Sequence, residues 1–176
     1  MRLFVRLSLI GLISLVAIGF AINQMSQTDG NKELLPVKLS DGQCTDKGVS
    51  LVIDFGTKQE LPRIEKCIEN YSGTSWDLFA EAKLTVTGTQ KYPVGFVCRI
   101  EGFPSETTEP CNDTPGASHG SWAFFQGNPD QSWKYSVSGA ATYKPGCGSV
   151  DGWRFLEFGE PVTATPRISP RVNVCN

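Results

Sequence analysis

Apolar positions recur along this chain at two periods, and an uninterrupted apolar run precedes them. Val49, Leu51, Ile53 and Phe55 alternate with smaller or polar residues, which puts four apolar side chains on one face of a strand, with Gly48 and Gly56 as stops. Residues 61–70 fit both periods: Ile64 and Ile68 suit a helix face, while Ile64, Lys66 and Ile68 suit one side of a strand, and strand is the reading adopted. Residues 73–82 predict a helix. Thr74 or Ser75 can accept a hydrogen bond from a free backbone N–H, Asp77 suits the positive N-terminus, and Trp76, Phe79 and Ala80 fall on one face to be buried against a sheet.

Further along, residues 84–87 and 95–100 predict strands, the second from the alternation of Phe96, Cys98 and Ile100 against Val97 and Arg99. Residues 101–118 hold three prolines and two glycines and predict a long loop. Residues 121–126 and 131–137 form the clearest hairpin, because Asn128-Pro129-Asp130 places proline at the second position of a type I turn. Trp122 and Phe124 share one face of the outgoing strand, opposite Ala123 and Phe125, and Trp133, Tyr135 and Val137 share a face of the returning one. Both faces are aromatic, which predicts an exposed patch on one of them. A last strand at 153–158 leads into a Pro-rich tail, 161–176.

The apolar run is residues 7–22, preceded by Arg2 and Arg6. At 16 residues it is shorter than the roughly 18 to 20 that a spanning helix needs, and Gly19-Phe20-Ala21 offers a small-residue cleavage site. The reading is a signal peptide or N-terminal membrane anchor over 1–22, a polar linker over 23–43, and one β-rich domain over 44–176, secreted or held at the cell surface. Six cysteines follow the apolar run. In an oxidising compartment an even count without a C-x-x-C pair predicts three disulfides and no metal site. The expected pairing is Cys44 with Cys67, Cys98 with Cys111 to close a local loop, and Cys147 with Cys175 to tie down the tail.

Composition narrows the partners. Sixteen basic side chains less Arg2 and Arg6 leave 14 against 18 acidic ones, a net charge of −4 for the exported part. Nucleic acid and anionic lipid both need a basic patch, so neither is expected as a partner. A tether through residues 7–22 is compatible with this.

Catalytic signals are weak. Gly116-Ala117-Ser118-His119-Gly120 matches G-x-S-x-G in letters, but a nucleophile elbow needs a strand before the serine, a helix after it and a later histidine as base; a Pro-rich loop precedes Ser118, and His119 is the sole histidine. Asp54, Glu101, Glu109 and Asp113 are scattered, with no spacing that sets two of them across a bond. Gly146-Cys147-Gly148-Ser149 lacks the lysine and opening helix of a phosphate loop. The chain therefore reads as no enzyme and implies no cofactor of its own. Asn70 and Asn112 head glycosylation sequons.

Taken in order, the helix motif Ser72-Gly73-Thr74-Ser75-Trp76-Asp77-Leu78-Phe79, the strand motif from Gly95 to Pro104 (Gly-Phe-Val-Cys-Arg-Ile-Glu-Gly-Phe-Pro), and the hairpin Ser121-Trp122-Ala123-Phe124-Phe125 with Trp133-Lys134-Tyr135-Ser136 resemble the transcobalamin-type C-terminal domain of secreted bacterial proteins. The resemblance covers about residues 48–158. It implies an α+β, β-grasp-like fold: a mostly antiparallel sheet packed on one short helix, stabilised here by disulfides. It also implies binding of a small ligand, cobalamin-like or another cofactor or a glycan, through the aromatic hairpin, with Trp122, Phe125, Trp133 and Tyr135 as ligand-binding residues. The chain has no room for the helical domain that supplies much of the ligand cage in transcobalamin, which leaves the ligand open. The expectation is a non-catalytic binding module. The alternative is an extracellular protein-interaction or inhibitor module that presents the 99–110 loop, rigidified by a Cys98–Cys111 bond.

Overall fold

The computed structural model describes residues 35–57, 60–115 and 119–175, all within one compact unit, Leu35–Asn176. The export segment 1–22, the linker up to residue 34, and Ser118 of the G-x-S-x-G lie outside the described residues. Along the described chain come β1 (Lys38–Asp41), β2 (Val49–Asp54), β3 (Ile64–Glu69), the helix α1 (Leu78–Glu81), β4 (Val86–Gly88), β5 (Val97–Ile100), β6 (Ser121–Gly127), β7 (Trp133–Tyr135) and β8 (Val150–Leu156). The fold is α+β and mostly sheet.

Six strands form one sheet in the order β1-β3-β2-β8-β6-β7, and β4 and β5 form a second, two-stranded one. Every pairing is antiparallel except that of the two central strands, β2 and β8. A parallel pair cannot be joined by a hairpin. The chain between β2 and β8 accordingly carries α1 and the β4–β5 pair, whose buried residues join the core beside the sheet.

That core is built by the alternation already legible in the sequence. Val49, Leu51, Ile53 and Phe55 meet Leu78 and Phe79 of α1, Val97 and Ile100 of β5, Trp122 and Phe124 of β6, and Trp153 and Phe155 of β8. Phe79, Leu51 and Ile53 are fully buried, each worth about 1.5–3 kcal/mol of apolar transfer. Gly48 turns the chain into β2 at φ +98°, where a side chain would meet the carbonyl oxygen of Ile68 at 2.7 Å.

Three expectations need correction. The helix occupies four residues instead of ten: Asp77 is its N-cap, with no side-chain cap bond, Thr74 Oγ1 accepts from the Asp77 N–H at 3.3 Å within the turn 75–77 that precedes it, and Leu78, Phe79 and Ala82 are buried where Ala80 is exposed. A helix this short is marginal on its own propensity, so tertiary packing sets how much of the segment is helical. The segment read as linker contains β1, which pairs with β3 from Lys38↔Glu69 to Asp41↔Lys66. Leu39 alone of its four residues packs on the core, half-buried, and the other three are exposed and polar, so no apolar period marks the strand. The last strand begins three residues earlier than expected, at Val150.

Neither sheet face is open at the centre, so all residues of β2 and of β8 are buried. The tail covers the face opposite α1. Arg167 forks onto Asp54 (Nη2 to Oδ1 2.6 Å, Nε to Oδ2 3.0 Å), Arg154 pairs with Glu160 at 2.6 Å, Asn173 Nδ2 donates to the carbonyl of Cys44 at 2.7 Å, and Ala164 packs on Ala123, Phe125 and Leu156. The cysteines pair as the spacing suggested: Cys44–Cys67, Cys98–Cys111 and Cys147–Cys175. Three disulfides fit a chain that folds in an oxidising compartment. Among the described residues no helix is long and apolar enough to cross a membrane.

Candidate functional site

The even-numbered positions of β6 point toward α1, and two of them build a cleft. Phe124 lies opposite Trp153 of β8, and their rings stack at 4.8 Å and 18°. Beyond β7 the chain stays close: the Ser136 N–H donates to the Phe124 carbonyl at 2.9 Å, and Ser136 Oγ accepts from Gln126 Nε2 at 3.2 Å and donates to the Ser138 carbonyl at 2.9 Å. Residues 95–97, entering β5, supply the facing wall. Between them lies a cleft of about 240 Å³, lined by Phe96, Trp122, Phe124, Val137, Ala140 and Trp153, with serines 136 and 138 at its rim. No charged side chain is among its lining residues. Val137 is 91% exposed, and Val94, next to the facing wall, is 61% exposed.

The four residues expected to act together lie on both faces of the sheet. Trp122 is on the α1 side, where it lines the cleft, donates from Nε1 to the Phe103 carbonyl at 3.2 Å, and packs edge-on against Phe55, Phe103 and Phe155. Phe125 is fully buried on the tail side, where Tyr135 packs edge-on against it at 5.6 Å. Trp133 lies on Gly152, so closely that a Cβ there would come within 2.5 Å of its ring, and its Nε1 donates to the Ile168 carbonyl at 2.7 Å. Tyr135, 47% exposed, also borders the cleft at the sheet edge. The second aromatic face is therefore tail-bearing and not an exposed patch. A tail that reads as structureless in sequence gave no sign that it would cover a sheet.

Compared with protein-family models, curated proteins and solved structures, the chain has no match.

Two buried polar arrangements, one at Asp151 and one joining Glu109 to His119, were not legible as such in the sequence. Asp151, on β8, is fully buried; Ser75 Oγ donates to its Oδ2, while its Oδ1 has no hydrogen-bond partner among the described residues. Burial pushes this carboxyl up to about 7, against the opposing pull of the Ser75 hydrogen bond. Tyr71 and Tyr143 are both raised, first by burial, and the charge of Asp151 adds to each. The wall of the cleft hangs on the same turn: the Ser75 N–H donates to the Tyr143 carbonyl at 2.9 Å and the Trp76 N–H to the Ala140 carbonyl at 3.0 Å.

Glu109 and His119 form the second group. Glu109 is buried; its Oε1 accepts from the Cys111 N–H at 3.0 Å and its Oε2 lies 3.1 Å from His119 Nδ1. Arg99, also buried, donates from Nε to the Pro104 carbonyl at 2.9 Å and from Nη2 to the Glu109 carbonyl. A carboxylate that orients an imidazole is half of a nucleophile-activating arrangement, but among the described residues no hydroxyl or thiol bonds to His119. The pair braces the 99–111 loop. Glu101 bonds the Thr85 N–H instead, and Asp113 pairs with Lys91, so the scattered carboxylates stay separate. Among the described residues no three His, Cys, Asp or Glu are grouped to hold a metal ion.

Proposed function

We propose that this is a secreted or surface-tethered, non-catalytic binding module for a small ligand, and that its contact site is the uncharged cleft on the Trp122 side of the β6–β7 hairpin. The observation that carries the reading is the cleft itself: the stacked rings of Phe124 and Trp153, serines 136 and 138 and the exposed Val137 line it, and no charged side chain does. At about 240 Å³ it falls below the roughly 300–1,000 Å³ that enclose a drug-sized ligand. It takes one ring or one apolar arm, such as a sugar ring, a cofactor ring or an edge of a corrinoid, and the rest of the ligand stays outside. Export agrees with the three disulfides and the apolar run at 7–22.

The β-grasp-like reading and the transcobalamin-type resemblance draw support from the strand order. A parallel central pair, β2 and β8, is flanked by antiparallel partners, β3 and β6, with one short helix contributing to the core beside them.

Tryptophan fluorescence of the oxidised protein, titrated with cobalamin, ring cofactors and glycans, tests this, because Trp122 and Trp153 line the cleft. The expected result is a saturable response that Val137→Asp abolishes, since that residue is 91% exposed and its change leaves the core alone. A saturable response untouched by the substitution places the site elsewhere. Silence across the panel favours a second reading, a protein-interaction module, which the bracing of the 99–111 loop by Arg99, Glu109 and Cys98–Cys111 supports.

A further inference from the structure

The ligand cleft has one wall that the sheet does not make. Residues 136–143 cross from β7 toward the start of α1; Ala140 is buried in the core and Tyr143 packs against Phe124, and hydrogen bonds hold both ends. At one end Ser136 is bonded to Phe124 and Gln126; at the other, the carbonyls of Ala140 and Tyr143 accept from the N–H groups of Trp76 and Ser75. Ser75 is itself fully buried, and its hydroxyl is tied to Asp151. A chain of three links thus runs from one carboxyl through one serine to the cleft wall.

The surroundings of that carboxyl make its charge state matter. Asp151 lies beside Leu51 of β2 and Gln126 of β6, and Gln126 Nε2 donates to Ser136 Oγ. The titratable groups coupled to it are Tyr71 and Tyr143; Asp77 and Glu81, acidic as well, act on Tyr71. None of these is a cation, and among the described residues Oδ1 has no hydrogen-bond partner. An ionised carboxylate in this position has one hydrogen bond where it needs several, and burying it so is strongly unfavourable. The relief nearest to hand is to let water reach it by lifting Ser75 away from Asp151, since among the described residues Ser75 Oγ is the one group bonded to that carboxyl and α1 behind it is only four residues long.

We propose that Asp151 is a proton-operated latch on the cleft: protonated, it holds Ser75 and with it the wall 136–143 in place, and ionised, it releases them and weakens binding. The latch rests on the reading of the cleft as the ligand site. It requires no second ligand and no metal, only the gain or loss of one proton at a buried oxygen.

Hydrogen exchange on the full-length oxidised protein tests the latch, and benzyl alcohol, a neutral ring with a hydroxyl, probes the cleft by amide shifts in 15N-labelled protein. Between pH 5.5 and 8.5, after correction for intrinsic exchange, the Ser75 and Trp76 amides are expected to lose about thirtyfold more protection than the core amide of Val52, the ratio for a carboxyl titrating near 7. Benzyl alcohol shifts at residues 95–97 and 136–140 are expected at pH 5.5 and are expected to need higher probe concentration at pH 8.5. Asp151→Asn should keep both amides protected at either pH, and Ser75→Ala should leave them poorly protected at both. Protection that does not change with pH, or an Asp151→Asn protein that follows the wild type, overturns the latch. Amides that respond as expected while the probe shifts nothing in the cleft uphold the Asp151 switch and overturn the cleft as the binding site.

Discussion

Replacing Arg167 by alanine removes one half of the fork that ties the tail to the sheet, and the loss it causes should shrink as pH falls. Asp54 has no exposed surface, and it receives the Arg167 N–H at 2.8 Å as well as the guanidinium bonds and the Gly56 N–H at 3.1 Å. Burial pushes Asp54 up, and the bonds from Arg167 and Gly56 with the guanidinium charge outweigh it, so the carboxyl sits below its ordinary 3.8. In the wild type this group stabilises the fold fully above that value and loses its contribution as pH falls through the depressed one. Without Arg167, burial dominates. The folded protein then disfavours the ionised form, and the penalty grows as pH rises above 3.8.

Breaking a buried pair costs about 3–5 kcal/mol. The Arg167 side chain is 36% exposed, so water screens the outer end of the fork and the lower end of that range, about 3 kcal/mol at pH 7, is expected. With a urea slope near 2 kcal/mol per molar, the midpoint should fall by about 1.5 M at pH 7 and by much less near pH 3.5. Adding Asp54→Asn to Arg167→Ala should recover part of the loss at neutral pH. Urea unfolding at pH 3.5, 5 and 7, with intact disulfides throughout, measures all of this. An equal loss at pH 3.5 and 7 would refute the claim that an uncompensated buried charge causes it.

Other substitutions probe other joints. Asp151→Asn should stabilise the protein at pH 8 by up to about 4 kcal/mol, since a carboxyl moved from 3.8 to about 7 loses about 1.4 kcal/mol per pH unit between those values; its stability should be flat over pH 4–7, where that of the wild type declines. Thermal unfolding across that range checks it. Gly152→Ala should cost about 1–3 kcal/mol by pushing the Trp133 ring off the sheet, with a near-ultraviolet circular dichroism change and faster proteolysis of the tail as the readouts. Removing Cys98–Cys111 by double alanine substitution should cost about 3 kcal/mol in denaturant unfolding, and should leave cleft binding intact where the 99–111 loop takes no part in it.

Read alone, the sequence determined the strands that bury one face, because alternation at period two is a local signal: strands lie within 49–55 and 95–100 and in both arms of the 121–137 hairpin, although β5 begins only at Val97 and β7 covers only Trp133–Tyr135. The hairpin turn was equally legible, since Pro129 can sit at few turn positions, and Gln131 donates to the Asn128 carbonyl as expected. The three cysteine pairs were also within reach, because compartment and even count bounded them. Of the candidate site, Trp122 was visible, while Phe96, Ala140 and Trp153 come to it from segments 26, 18 and 31 residues away in the chain.

What only the tertiary structure decided is which aromatic face stays available. Local pattern says that Phe124 and Phe125 point to opposite sides, and it cannot say that a Pro-rich tail 30 to 50 residues later will cover one side through Arg167, Ile168 and Ala164. The tail's grip is made of single long-range hydrogen bonds and one ion-pair fork, which leave no period in a sequence. The same reason hid Asp151: its isolation is a property of the residues folded around it, and in the chain it is one acid between a valine and a glycine.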